Sequence, residues 1–327
     1  MIGIEFLDGQ GLGNQLFCLA SVKSIARDSG YEFGTVNQSI FAHNIHNSKG
    51  MYFMDVDLGS KIDNKGSYQI YNEKEERIWI KNSIHDLTNG CYITGVDDKL
   101  LSIADQTLIY GNLQAEYYFR NHMQDLKKWF KIKKEFDTYK YTQDNLCILN
   151  MRGGEYKGAR ELFLKKDYWI NAMNYMKRQI NSDMKFMVVT DDVKEAKKIF
   201  PDIPVFHFDI AGDYVTIKNA KYLILSNSSF ACFPAFTSET CKIVIAPKYW
   251  ARHNVSTGYW ASEQNIYSGW MYMDRDGKIF TSEECIKELC SYKKTDEYRK
   301  IKGQVKPTGV NCFIQVNLLR LKGYLQI

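Results

Sequence analysis

A chain of 327 residues, 45% hydrophobic and 25% charged, is not a disordered segment and exceeds what one ordinary core holds, so two domains are expected. The net charge of +5 is mild: it favours anionic small molecules or anionic surfaces, and no RNA- or DNA-binding motif accompanies it. The eight cysteines are scattered without a C-x-x-C pair, which reads as reduced core thiols and a cytoplasmic setting.

A strand is expected over Ile2 to Leu7, and neither a secretory signal nor a membrane anchor is expected. The glycine-rich run Asp8-Gly9-Gln10-Gly11-Leu12-Gly13 follows, then a helix expected from Asn14 as cap to about Ser29, with Leu16, Leu19, Ala20, Val22, Ile25 and Ala26 inward. A helix amino terminus behind such a loop is a ready anion site. A dinucleotide fingerprint competes, since Gly9 and Gly11 fit and Glu32 lies downstream, but its third glycine position is Asn14 and Gly13 falls one residue early.

From Tyr31 to Ile109 the signals are mixed. Glu73-Lys74-Glu75-Glu76-Arg77 reads as a solvated charged face, and the spacing of His43, His46 and His85 gives no metal site. Leu108 to Tyr110 reads as a strand running into a polar turn, where Gln114 and Glu116 either face a cleft and bind hydroxyls or cap the next helix. The basic stretch Lys127 to Lys140 reads as a connector, placing a domain boundary near Tyr139.

In the second half short apolar runs alternate with helical patterns. Leu146-Cys147-Ile148 leads into Asn150-Met151-Arg152-Gly153-Gly154-Glu155-Tyr156, Lys185 to Thr190 ends on Asp191-Asp192, and Tyr222 to Leu225 opens on Ser226-Asn227-Ser228-Ser229-Phe230. Lys242 to Ala246 closes the series before Pro247. The alternation predicts a parallel, doubly wound sheet whose carboxyl-end loops gather Arg152, Asp191, Ser228 and Ser229 on one rim. A planar guanidinium beside hydroxyls and amides at a helix start suits a diphosphate, and Asp191 suits a ribose or base edge. Each alone is equally an ordinary turn or cap; together on successive strand ends they favour a nucleotide.

These residues resemble the α-1,2-fucosyltransferases and the wider fucosyltransferase superfamily. Gly11-Leu12-Gly13-Asn14-Gln15-Leu16-Phe17 is similar to a G-L-G-N-Q-(L/M)-F segment, and Asn112 to Phe119 to a Q-S/A-E-x-Y-F turn. Phe186 to Asp192 resembles an F-x-x-F-S-D-D strand end, and Asn227-Ser228-Ser229-Phe230 with Val244 to Trp250 an N-S-S-F and V-I-A-P-x-x-W pair. The family's H-x-R-R-G-D-Y is changed here: Arg152 keeps the first arginine, while Asn150, Gly153 and Glu155 replace the histidine, second arginine and aspartate.

The resemblance implies a GT-B architecture, two Rossmann-type α/β domains facing a cleft. With the boundary near Tyr139, the chain is expected to divide into an acceptor-side domain over 1–139 and a GDP-sugar domain over 140–273; beyond the resemblance, a helical, basic tail over 274–327 is expected to pack back on the first domain. The resemblance further implies metal-free, cofactor-free inverting transfer of L-fucose, or another deoxyhexose such as colitose, from a GDP donor to an oligosaccharide or lipid-linked glycan.

Donor contacts fall to Gly11, Gly13, Asn150, Arg152, Asp191, Ser228, Ser229 and Phe230, and acceptor contacts to Gln114 and Glu116. Arg152 and Asn14 would stabilise the leaving group, with Glu155 as base ahead of Glu116 and Asp8. The changed residues leave a non-catalytic GDP-sugar-binding module as the alternative, and a nicotinamide enzyme third. Membrane contact is peripheral at most, through the mixed apolar and basic stretch near Asn317 to Leu325.

Overall fold

The computed structural model describes residues 1–43, 47–79, 84–158, 162–248, 262–302 and 305–324. His46 and the Tyr249-Trp250 end of the last motif lie outside them.

The amino-terminal half runs β1 (Ile2–Glu5), α1 (Leu12–Asp28), β2 (Phe33–Val36), β3 (Met54–Val56), β4 (Ser60–Lys61), β5 (Gln69–Asn72), β6 (Glu75–Ile78), α2 (Ile84–Asn89), β7 (Cys91–Thr94), β8 (Thr107–Tyr110), α3 (Met123–Trp129) and β9 (Phe130–Ile132). Five of these strands form a parallel sheet in the order β4-β2-β1-β8-β5, and two antiparallel pairs, β3 with β9 and β6 with β7, flank it. The stretch Lys127 to Lys140, expected as a plain connector, therefore holds the last turn of α3 and the whole of β9. Phe130 and Ile132 are buried in the pairing with β3, and their alternation with the exposed Lys131 is a strand signal that the surrounding lysines mask.

The carboxyl-terminal half runs β10 (Leu146–Met151), α4 (Lys166–Gln179), β11 (Lys185–Thr190), α5 (Val193–Ile199), β12 (Val205–Phe206), α6 (Ile210–Lys218), β13 (Tyr222–Leu225), α7 (Ser229–Phe236), β14 (Ile243–Pro247), β15 (Met271–Met273) and β16 (Ile279–Thr281). Its sheet has the doubly wound order β12-β11-β10-β13-β14-β15-β16, parallel except for the last pair. The sheet runs on to Thr281, so a boundary at 273 would cut the β15–β16 hairpin. Three helices follow: α8 (Ser282–Tyr292), α9 (Asp296–Lys302) and α10 (Gly309–Tyr324). A capping box at Thr281 and Glu284 starts α8, and Cys285 and Leu289 bury its inner face.

Both faces of the second sheet are covered, which is why its strands read as unbroken apolar runs. Strand parity sorts the side chains. Cys147, Leu149 and Met151 of β10 join Trp169, Met176 and Phe200 in the outer core. Leu146 and Ile148 of β10, Met187 and Val189 of β11, and Leu223 and Leu225 of β13 join the core shared with the amino-terminal half.

That shared core fuses the halves. Phe17 of α1 lies edge-on to Phe233 of α7 at 5.1 Å and stacks on Tyr267 at 5.9 Å; Phe119 meets Phe236 at 5.2 Å, and Phe53 meets Tyr214 at 5.4 Å. Burying each of these rings contributes about 1.5–3 kcal/mol.

Candidate functional site

In a doubly wound sheet the loops after the two central strands leave in opposite directions and open a crevice at their carboxyl ends. In the second half that point lies between β10 and β13, whose loops carry Arg152 and Ser226 to Ser229. In the first half it lies between β1 and β8. The two crevices face each other across a cleft of about 430 Å³, lined by Gly9, Gly11, Gly13 and Asn14 on one side and Arg152, Glu155, Asp191, Ser228, Ser229 and Phe230 on the other. The parity that puts Ile148, Met187 and Val189 in the shared core continues to Asn150, Arg152 and Asp191, directing them toward the opposite half.

Two helix amino termini enter this cleft. Helix α1 starts behind Gly11 and α7 behind Ser228, neither with a side-chain cap. Asn14 therefore lies in the first turn of α1 and not at its cap. Its Oδ1 accepts from Gln114 Nε2 at 2.9 Å, which aims the remaining amide group. The backbones of the two first turns are almost in contact: a Cβ on Gly13 would lie 2.3 Å from the Ser229 carbonyl carbon and 2.4 Å from Phe230 N. Gly13 sits one position early for a dinucleotide fingerprint because its task is to let these helices meet. Leading amides without carbonyl partners in their own helix, and the positive ends of two helix dipoles, face the same space.

Arg152 completes the anion-binding set. Its Nη1 lies 3.0 Å from Asp191 Oδ2 and its Nη2 donates to Glu155 Oε1 at 3.3 Å, while its guanidinium carbon lies 5.6 Å from the Tyr156 ring centre. Asp191 also accepts from Gly153 N at 2.7 Å, fixing the loop. Gly153 stands where the resembled motif has its second arginine, and a Cβ there would come within 2.5 Å of the Asp192 Cβ. Asp192 caps α5 through Glu195 N and pairs with Lys157 at 2.5 Å, and this partner first, then the cap, holds its carboxyl below the usual range. Asn150 is buried, its Oδ1 accepting from Ser226 Oγ at 3.1 Å while Ser226 Oγ accepts from Arg152 N at 3.2 Å, so it braces the two loops from beneath.

Gln114 and Glu116, expected on the acceptor side, are not among the residues lining the cleft. Gln114 is buried against Asn14, and Glu116 accepts from Ser268 N and Oγ at 2.8 and 2.9 Å, tying the two halves together. Asp8 is exposed and also absent from the lining.

The far end of the cleft holds groups that sequence reasoning missed. Tyr52, from the weakly patterned first half, donates across the cleft to Asp209 Oδ2 at 2.8 Å; burial and this carboxylate push its phenol up to about 12. Asp209 caps α6 through Gly212 N, an aspartate-before-helix signal that was readable. His207 Nδ1 lies 2.7 Å from Asp213 Oδ2. Burial pushes the Asp213 carboxyl up to about 6, against the pull of Phe208 N and His207. Lys49, Tyr156 and Thr190 also line the cleft. Among the described residues no cluster of His, Cys, Asp and Glu could hold a metal ion.

No protein-family model matches the chain. One stretch of 161 residues is 28% identical to an alpha-1,2-colitosyltransferase of Escherichia coli, covering 43% of this chain and 54% of that protein. The chain thus spans about half the length of the curated relative it matches. Among solved structures, it is similar to NodZ alpha-1,6-fucosyltransferase soaked with GDP-fucose (TM-score 0.44, 12% identity, 86% of this chain and 98% of that one). It is also similar to POFUT1 in complex with GDP (0.43, 10%, 75% and 97%) and to a family 9 glycosyl transferase of Veillonella parvula (0.41, 12%, 98% and 97%).

Proposed function

We propose that the protein is an inverting glycosyltransferase that moves a 6-deoxyhexose, L-fucose or colitose, from a GDP donor to a glycan hydroxyl. The observation that carries this reading is the meeting of two uncapped helix amino termini and Arg152 in one cleft between two doubly wound sheets. Two dipole ends of about half a charge each, plus a guanidinium, complement a diphosphate's charge, which grows as the glycosidic bond breaks.

In this mechanism the bond from the sugar's anomeric carbon to the diphosphate oxygen breaks, and the electron pair stays on the diphosphate. Arg152 and the leading amides of α1 and α7 bind it. The acceptor oxygen attacks the opposite face of the sugar and passes its proton to Glu155, which lines the cleft and is well exposed. The Glu155 ion pair with Arg152 is worth little in so open a setting, about 0–1 kcal/mol, so a diphosphate can take its place and free the carboxylate. His207, Asp209 and Tyr52 at the far end offer flat rings and acceptors for the nucleoside, with Asp191 toward the ribose and Phe230 as an apolar wall.

The two donors differ by one hydroxyl on the sugar, and the colitosyltransferase likeness favours colitose as much as the motifs favour fucose. The α-1,2 linkage rests on the same likeness and motifs. A thermal-shift panel decides the nucleotide: GDP should raise the melting temperature and UDP and dTDP should not. Transfer assays with GDP-fucose and GDP-colitose then decide the sugar. Absence of a GDP response would end the proposal; GDP binding with neither hydrolysis nor transfer would favour the non-catalytic module.

A further inference from the structure

Helix α10 is set apart from the rest of the molecule by charge and by exposure. From Lys293 to the end the sequence has eight lysines and arginines against only Asp296 and Glu297, a net +6, while the whole chain is +5. The 292 residues before it are therefore net −1. No acidic residue occurs in α10 itself.

The helix packs on α2 and leaves five bulky apolar side chains outside, Val310, Phe313, Ile314, Leu318 and Leu321, from 48% exposed at Ile314 to 74% at Val310. At about 100° per residue these five fall within an arc of about 140°. Cys312, Val316 and Leu319 occupy the opposite side, and the spacing sets Arg320 at one border of the exposed arc. A soluble helix does not normally present such a stripe to water. Among the described residues no helix is long and apolar enough to cross a membrane, so this stripe could enter one only sideways.

We propose that α10 lies in the plane of an anionic lipid surface, its Val310, Phe313, Ile314, Leu318 and Leu321 stripe sunk among the acyl chains and Arg320 with the tail's other cations among the headgroups. The charge decides between a lipid surface and a second copy of the chain. Two copies would bring two +6 tails together, whereas anionic headgroups neutralise them, at about 1 kcal/mol per basic residue near the surface. Phe313, mid-stripe, supplies the bulky anchor of an interfacial helix. The inference is independent of the donor chemistry.

The test is co-sedimentation of the full chain with vesicles of phosphatidylglycerol and phosphatidylcholine, against vesicles of phosphatidylcholine alone. Pelleting with the anionic vesicles, at least about tenfold above the neutral ones and lost at high salt, is expected. Phe313→Asp with Leu318→Asp should abolish it, and Arg320→Glu, which leaves the apolar stripe intact, should weaken it by about fivefold or more. Equal partitioning into both vesicles, or unchanged binding by the double variant at a wild-type melting temperature, overturns the proposal. So does a dimer in gel filtration that the double variant dissolves while neither protein pellets with lipid.

Discussion

The loops that close the two sheets are built on opposite principles. In the amino-terminal half the turn after β8 is fastened by the chain's own carboxylate: Glu73 accepts from Asn112 N at 2.8 Å, Leu113 N at 3.0 Å and the Tyr118 hydroxyl at 2.8 Å. These bonds hold Leu113 at a φ of 51°, and burial pushes the Glu73 carboxyl up. In the carboxyl-terminal half, Arg152, Ser228 and the first turn of α7 are left facing the cleft. One half therefore contributes rigid backbone and the other contributes charge, so a diphosphate should depend on side chains of the second half and on backbone shape in the first.

The largest effect tests whether the halves act as one body. Phe233→Ala opens the core between them and should cost about 3–5 kcal/mol while leaving a single cooperative transition in denaturant. Two separate transitions would mean that the sheets fold apart.

The next test sets side chain against backbone. Arg152→Ala should lower turnover about 10²–10³-fold, close to 3–4 kcal/mol, with Asn14→Ala costing about a tenth as much in fold-change. Equal losses would erase the contrast. Gly13→Ala, which touches backbone alone, should destabilise by about 1–3 kcal/mol and weaken GDP binding, because its methyl would press on Ser229 and Phe230. A wild-type melting temperature and GDP response would show that the helices can part without consequence.

A pH titration isolates the charged end of the second half. The Asp213 carboxyl, at about 6 when folded against an ordinary 3.8, holds its proton more tightly in the native than in the unfolded chain. Stability from this group is thus present below about pH 4 and lost as the pH rises toward 6, roughly 2–3 kcal/mol in all. Asp213→Asn should flatten that part of the profile, and an unchanged slope would place the titration elsewhere.

The smallest effect concerns the tether. Glu116→Gln keeps one acceptor for Ser268, so it should cost under about 1 kcal/mol and leave acceptor KM unaltered. A raised KM would return Glu116 to the acceptor role expected from its motif.

The sequence by itself determined the alternation of the second half, because strands buried on both faces must be apolar throughout and their loops must be polar. It also determined, through strand parity, that Arg152 and Asp191 share a side with Ile148 and Val189. Glu73 is the counterexample: within a run of charges it reads as solvated, yet it is buried because only the fold brings three donors to it. Tyr52 with Asp209, Asn14 with Gln114, and Gly13 against Ser229 were likewise tertiary decisions. Each joins residues about 100 positions apart or more, at least one of them in a segment without periodicity. Local spacing records which way a side chain points, and only the docking of one half on the other fixes what it meets.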